Sequence, residues 1–301
     1  MTLFGELAAL GTSLCFSFTS TFFTLAGRQV GSVVVNRIRL LLAVGFLMLV
    51  HWALLGQPLP LGAGPERWFW LGLSGIIGLV LGDALLFQAF VWIGPRISML
   101  MMSLVPVIST ALAWVFLGET LTGQQLLAVS ITVAGVAWVI LERSGTNGTP
   151  GTEQRYGLGI LFALGGATGQ ALGLVTAKQG LIGDFSPISG TLIRMLTATI
   201  VMWGFTIAMR KVRSTLQHLR QDNRAAMQIV TGSFFGPFLG VTLSMIAVQT
   251  TQVGVAATLM ALTPVFLLPI SHFVFHEHIG WRATIGTLVA IAGVALLMLG
   301  G

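Results

Sequence analysis

Three charged side chains stand where a charge is costly, and they bound the chemistry this sequence could do. Asp83 is the one acidic residue well inside an apolar run, and Arg39 and Arg194 each lie several residues into another. A charge near the centre of a bilayer costs about 2.5–3.5 kcal/mol on insertion scales, so such groups face a cavity or one another. A lone carboxylate there could carry a coupling proton or hold a substrate amine, and a guanidinium could meet an anionic group. Two structural readings compete. One is an ion pair between Arg39 and Asp83. The other is snorkelling, in which the arginine stems stay in apolar surroundings while their heads reach the lipid headgroups. At ~1.5 Å per helical residue from the nearest loop, Arg39 lies about 8 Å and Asp83 about 14 Å from the same membrane face, a gap an arginine can bridge. Asn36, one turn before Arg39 on the same helical face, adds to a polar lining.

The larger amides extend the candidate set. Gln88 and Gln170 are costly to leave unpaired in apolar surroundings and are expected at a cavity. The smaller hydroxyls, Thr168, Thr176, Thr242, Ser244, Thr258 and Thr263, are explained by hydrogen bonds between helices. Phe87, Phe90 and Trp92 share Asp83's stretch and could form an aromatic wall, although lipid-facing or core packing is the more common fate of such residues. Pro106 and Pro264, each in the middle of an apolar run, remove a backbone donor and free the carbonyl one turn earlier, so they read as kinks and hinges. Glu119 and Glu277 stand at the borders of apolar runs, where a carboxylate favours the positive start of the next helix. His272 and His276 have the i, i+4 spacing of a helical metal pair, with His278 beyond, but only Glu277 could join them, and no metal site is expected. There is no phosphate-cradling loop, no Gly-x-Ser-x-Gly elbow and no His-Glu-x-x-His pair, hence no enzyme motif, no cofactor site and no ATP-driven engine.

Membrane helices must position these residues. Of 301 residues, 55% are hydrophobic and 8% charged, against roughly 25% charged in a soluble domain. The 15 basic residues give a net charge of +6 but form no dense patch, which argues against nucleic acid and for the lipid bilayer as partner. Cys15 is the single cysteine and can form no intramolecular disulfide. At about 20 apolar residues per crossing, ten spans are expected: Leu3 to Leu25, Val34 to Leu54, Trp68 to Trp92, Ile97 to Leu117, Gln124 to Leu141, Gly157 to Lys178, Ile188 to Met209, Ala226 to Gln249, Val253 to Phe275 and Trp281 to Gly300. The weakest break, Ile93-Gly94-Pro95-Arg96, is either a tight turn or a kink in one long helix; its counterpart, Thr250-Thr251-Gln252, is polar enough to favour a turn.

The chain also repeats itself. From Gly82 to Leu141 and again from Gly240 to Leu299, at one constant offset, the same landmarks recur: Gly82 and Gly240, Pro106 and Pro264, Glu119 and Glu277, Ala134-Gly135-Val136-Ala137 and Ala292-Gly293-Val294-Ala295. Upstream, Ala9-Leu10-Gly11 answers Ala163-Leu164-Gly165 and Ile38-Arg39 answers Ile193-Arg194, with one residue of slack. Asp83 has no such echo, since its counterpart is Val241. Residues 1–143 and 157–301 thus read as two halves joined by a linker over 144–156, whose Gly/Ser/Thr/Pro composition and sequon-like Asn147-Gly148-Thr149 suit a loop. Five spans per half is an odd number, so the halves would be inverted in the membrane. Lysine and arginine concentrate beside the loops after odd-numbered spans, notably Arg210 to Arg224, which places those loops in the cytoplasm and both termini outside.

The proline inside the fourth span, the stretch Leu117-Gly118-Glu119-Thr120-Leu121-Thr122, then Gln124-Gln125 and the closing Val133-Ala134-Gly135-Val136, all duplicated, resemble the EamA-type members of the drug/metabolite transporter superfamily. The second copy departs at Phe275-His276-Glu277-His278, where a small residue usually precedes the glutamate. The resemblance implies an all-α integral membrane protein of ten transmembrane helices, built as two inverted five-helix repeats, that carries small metabolites, often outward. The expectation is a secondary active exporter in the inner membrane for a small polar or amphipathic substrate, with protons as a candidate coupling ion. A lipid or lipid-linked head-group flippase is the alternative; a membrane-embedded lipid enzyme would need clustered catalytic groups at one interface. Candidate substrate or coupling residues are Asp83, Arg39, Arg194, Asn36, Gln88 and Gln170, with Pro106 and Pro264 as hinges.

Overall fold

The computed structural model describes residues 3–117, 122–144, 152–250, 253–275 and 280–299, and these are helical apart from short turns. In chain order the helices are α1 (Leu3–Val30), α2 (Ser32–Leu55), α3 (Pro65–Ser74), α4 (Asp83–Met102), α5 (Val105–Leu117), α6 (Gly123–Ser144), α7 (Thr152–Gly180), α8 (Pro187–Ala208), α9 (Val212–Gln221), α10 (Asn223–Ser233), α11 (Val241–Thr250), α12 (Val253–Met260), α13 (Thr263–Phe275) and α14 (Trp281–Leu299). Six helical runs are long and apolar enough to cross a membrane: Phe4–Val30, Ser32–Leu55, Pro65–Met102, Arg155–Gly180, Pro187–Ala208 and Asn223–Thr250. Shorter apolar stretches accompany them at Leu126–Gly135, Thr263–Val274 and Thr284–Gly293. Large apolar side chains such as Trp52, Phe69, Ile200 and Phe205 stand exposed on the outer faces, as helices that are hydrophobic all round require in lipid.

Two runs are held together by π-helical turns. Gly75–Gly82 joins α3 to α4, and Phe234–Gly240 joins α10 to α11. The backbone N–H of Asp83 donates to Gly78 O, five residues back, and that of Val241 donates to Gly236 O in the same way. Each π segment therefore ends at the glycine of the matching landmark pair and sets the direction of the next side chain, Asp83 in one half of the sequence and Val241 in the other.

The break at Ile93 to Arg96 is a kink inside α4. Gly94 has φ 80° and ψ 167°, a conformation open to glycine without steric cost, and Pro95 restarts the helix. The prolines differ from the mid-helix kinks expected of them. The chain leaves the helix at Ser103-Leu104 and Ala261-Leu262, and Pro106 and Pro264 occupy the first turns of α5 and α13. There a missing N–H costs nothing, because first-turn donors have no intrahelical acceptor. The Met260 carbonyl, which loses its amide donor to Pro264, accepts the Thr263 hydroxyl at 2.8 Å.

Small residues set the close crossings. A Cβ added to Gly169 on α7 would stand 2.7 Å from Gly82 Cα, and one added to Gly173 would stand 3.2 Å from Gly78 Cα. Backbones this close bring α7 against the π segment before Asp83. The duplicated Ala-Gly-Val-Ala motif has a similar physical basis: Gly135 on α6 packs on Ala290 of α14, and Gly293 on α14 packs on the backbone of α6 at Ala128 and Thr132. The basic stretch after α8, read as a loop, contains the short helix α9, tied to α2 by the buried Arg37, whose Nη1 donates to Thr215 Oγ1 at 2.8 Å.

Candidate functional site

The π turn aims Asp83 inward, where it is 6% exposed. Both carboxylate oxygens are occupied: Oδ2 accepts from Arg39 Nη2 at 2.6 Å and Oδ1 accepts from Gln170 Nε2 at 2.6 Å. Gln170 reaches this carboxylate because Gly169 beside it permits the close α7 crossing. Arg39, 2% exposed, is held on three more sides: Nε donates to Asn36 Oδ1 at 2.8 Å, Nη2 donates to Leu79 O at 3.1 Å, and the guanidinium carbon lies 4.7 Å from the centre of the Phe87 ring. Neither Arg39 nor Arg194 reaches the lipid interface as snorkelling would require. Both are buried to the same 2%.

Arg194 is placed differently. Its backbone carbonyl packs on Gly75, and its Nη2 lies 3.5 Å from where a Cβ on Gly78 would stand. Its Nη1 donates to Met245 Sδ at 3.0 Å, and its buried Nε has no partner.

Asp83, Arg39, Arg194 and Gln170 surround one cavity of about 120 Å³. Its wall takes residues from α1, α2, α4, α5, α7, α8, α11, α12 and α13 and from both π segments, so it draws on both copies of the repeat. Phe87 and Phe90 stand on it, stacked with centroids 5.6 Å apart. Trp92 turns away to stack on Phe162 at 4.9 Å. Met102 and Met260, the residues one turn before the two prolines, also line it, as does Pro264.

Two candidates stand off the wall. Asn36 lies behind Arg39 and orients it, with Nδ2 buried and unpartnered. Gln88 faces the start of α2, where Oε1 accepts from Ser32 Oγ at 2.6 Å. The hydroxyls expected to link helices mostly donate within their own: Thr168 to Leu164 O, Thr176 to Leu172 O and Ser244 to Val241 O. Cross-helix bonds come instead from α1, where Thr12 donates to Gly240 O, Ser17 to Thr263 O and Thr19 to Gly232 O. Sequence reasoning missed α1, although its recurring Ser and Thr residues were a visible sign of a buried polar face. Glu119, Glu277, His276 and His278 lie outside the described residues, as do Thr251, Gln252 and most of the linker. Among the described residues no cluster of three metal-ligating side chains occurs, and His272 is exposed.

An all-helical, apolar chain with charges gathered at an internal cavity belongs to the membrane-carrier class. Its sequence matches the EamA-like transporter family twice, over residues 3–141 and 157–299. The chain belongs to this family and is a multi-pass membrane transporter in contact with the lipid bilayer. It is similar to the Probable 4-amino-4-deoxy-L-arabinose-phosphoundecaprenol flippase subunit ArnE of Pseudomonas fluorescens, at 40% identity over 65 residues, 22% of this chain. The match spans 57% of that relative's length. A solved crystal structure shares the fold at a TM-score of 0.66 and 15% identity, covering 98% of this chain and 96% of the other.

Proposed function

We propose that this protein is a secondary active carrier that moves a small polar or amphipathic metabolite across the inner membrane, chiefly outward. The observation that carries this is a cavity lined from both copies of the repeat, with a fixed polar cluster of Arg39, Asp83 and Gln170 on a largely apolar wall. In this reading residues 1–143 and 157–301 are two inverted five-helix halves joined over 144–156, the spans number ten, and rocking of one half against the other exposes the cavity to each side in turn. Breaks ahead of Pro106 and Pro264 at the cavity wall supply the hinges. With both oxygens of Asp83 engaged, the carboxylate serves first to neutralise Arg39 and hold α2, α4 and α7 in register. Proton coupling through it requires that this pair open during the cycle.

Comparing cells that lack and that overproduce the chain for solutes retained inside or released to the medium tests the proposal. A solute that follows the dosage of the chain is expected. The likeness to a lipid-linked sugar flippase subunit favours a second reading: a changed lipid with no changed solute would replace the carrier with a flippase.

A further inference from the structure

The internal repeat shows that the two arginines do not do the same work. Arg39 and Arg194 are counterparts, and each lies against the same position of its own half: Arg39 over Phe87, Arg194 against Met245, residues related by the offset that relates Gly82 to Gly240. Arg39 is bonded to Asp83, which Gln170 holds from the other side. The positions equivalent to Asp83 and Gln170 in the other half are apolar. Val241 replaces Asp83, and Phe16, as far beyond Gly11 as Gln170 is beyond Gly165, replaces the glutamine. Phe16 packs against the cluster that contains Val241, and both line the cavity.

Among the described residues the wall thus carries two guanidiniums against one carboxylate. Asp83 bonds Arg39 at 2.6 Å and acts on Arg194 only through space, without a direct contact. Arg194 has five N–H donors, and its one bond goes to a thioether sulfur, a weak acceptor. A buried cation with unused donors at a cavity is costly unless something anionic arrives to satisfy it. The rest of the wall fixes the body of that ligand. Phe16, Phe87, Phe90, Met102 and Val241 are apolar or aromatic, and the cavity of about 120 Å³ is close to the roughly 150 Å³ of apolar cavities that hold a benzene ring.

We propose that Arg194 is the recognition group of an anion subsite, and that the cargo is a small amphipathic anion: a carboxylate or phosphate head on an apolar or aromatic body of about one ring. This rests on the carrier reading and adds the substrate class to it. The head takes the Nε and Nη2 donors of Arg194 while the body lies among the aromatic and methionine side chains. The Arg39–Asp83 pair stays closed and neutral, and the remaining positive charge on Arg194 repels a cation, so amines of the same shape are excluded.

The test uses the purified full chain in detergent and probes that share one ring: phenylacetate, phenyl phosphate, 2-phenylethylamine and benzyl alcohol, with dihexanoyl phosphatidate as the lipid form of the same head. Binding is read by ligand-dependent thermal stabilisation. The anions should stabilise the chain and the amine and alcohol should not. Arg194→Gln should weaken anion binding roughly tenfold to a hundredfold, the range of a lost charge-assisted hydrogen bond.

Val241→Asp is the decisive variant. It supplies the missing acid one turn before Met245 on the same helical face and should abolish anion binding with Arg194 still present, while Val241→Asn, of nearly equal volume, retains it. If Val241→Asp does not fold, Arg194→Lys against Arg194→Gln makes the same separation, since only the former keeps the charge. Stabilisation by phosphatidate but not by the single-ring anions assigns the subsite to a lipid phosphate. The subsite is refuted if no anion binds, if benzyl alcohol binds as well as phenylacetate, or if Val241→Asp binds phenylacetate like the parent. Release of a neutral or cationic solute by overproducing cells would then leave the carrier standing without the anion subsite, whereas no solute change at all would remove the carrier itself.

Discussion

Replacing Asp83 by asparagine removes the negative charge at the cavity and almost nothing else. The new side chain keeps an oxygen for Gln170 Nε2 or Arg39 Nη2, and Arg39 keeps its bonds to Asn36 Oδ1 and Leu79 O and its place over Phe87. What disappears is the attraction across the 2.6 Å contact. Charges about 4 Å apart attract by about 4 kcal/mol at an effective dielectric constant near 20, and truncating one partner of a buried pair typically costs about 3–5 kcal/mol because the other charge stays buried and uncompensated. Arg39 is 2% exposed, so its charge is largely shielded from water once Asp83 is gone. Asp83→Asn should therefore lower folded yield and thermal stability in detergent sharply. The double variant Arg39→Gln, Asp83→Asn should recover most of both, since removing the pair costs less than removing half of it. Folded yield by size-exclusion chromatography and unfolding temperature are the measurements, with transport in proteoliposomes as the second readout. If the single variant is as stable as the parent, the structural account of the pair is wrong. If the double variant is stable yet cannot perform gradient-driven transport while counterflow exchange persists, Asp83 is a coupling group as well.

Other consequences are open to direct measurement. Gly169→Ala places a methyl group 2.7 Å from Gly82 Cα, where only backbone could yield, and should cost about 1–3 kcal/mol of stability by chemical or thermal unfolding; Gly157→Ala, which meets nothing within 4 Å, serves as its control. Pro264→Ala returns an amide donor to the Met260 carbonyl and should leave folded yield intact while slowing transport severalfold; an unchanged rate would remove the hinge role. A cysteine at Ser144 in a Cys15→Ser background should be shielded from an impermeant thiol reagent in intact cells if the loops after odd-numbered spans are cytoplasmic, and ready labelling would reverse the orientation.

Composition and periodicity determined the membrane character of this chain, because a sequence with 8% charge has no other solvent in which its apolar faces can be satisfied. The duplicated landmarks disclosed the two family copies, and their physical meaning is visible in the crossing of α6 and α14, where Gly135 and Gly293 pack on the opposite helix. Asp83 and Arg39 were singled out for the same reason, since a charge in an apolar run carries its cost on its face, and their pairing needed only the rise of a helix to anticipate. What the sequence left open depended on which helices touch. Gln88 and Gln170 are indistinguishable by residue type and depth, yet one faces Ser32 and the other Asp83, a choice made by the glycine face of α7 against the π segment before Asp83. The π turns themselves follow from no local pattern, and the prolines begin helices that their position in apolar runs suggested they would bend. Only the tertiary structure separated the two arginines: local sequence makes them counterparts, and long-range packing gives Arg39 a bonded carboxylate while leaving Arg194 a thioether sulfur at the cavity wall.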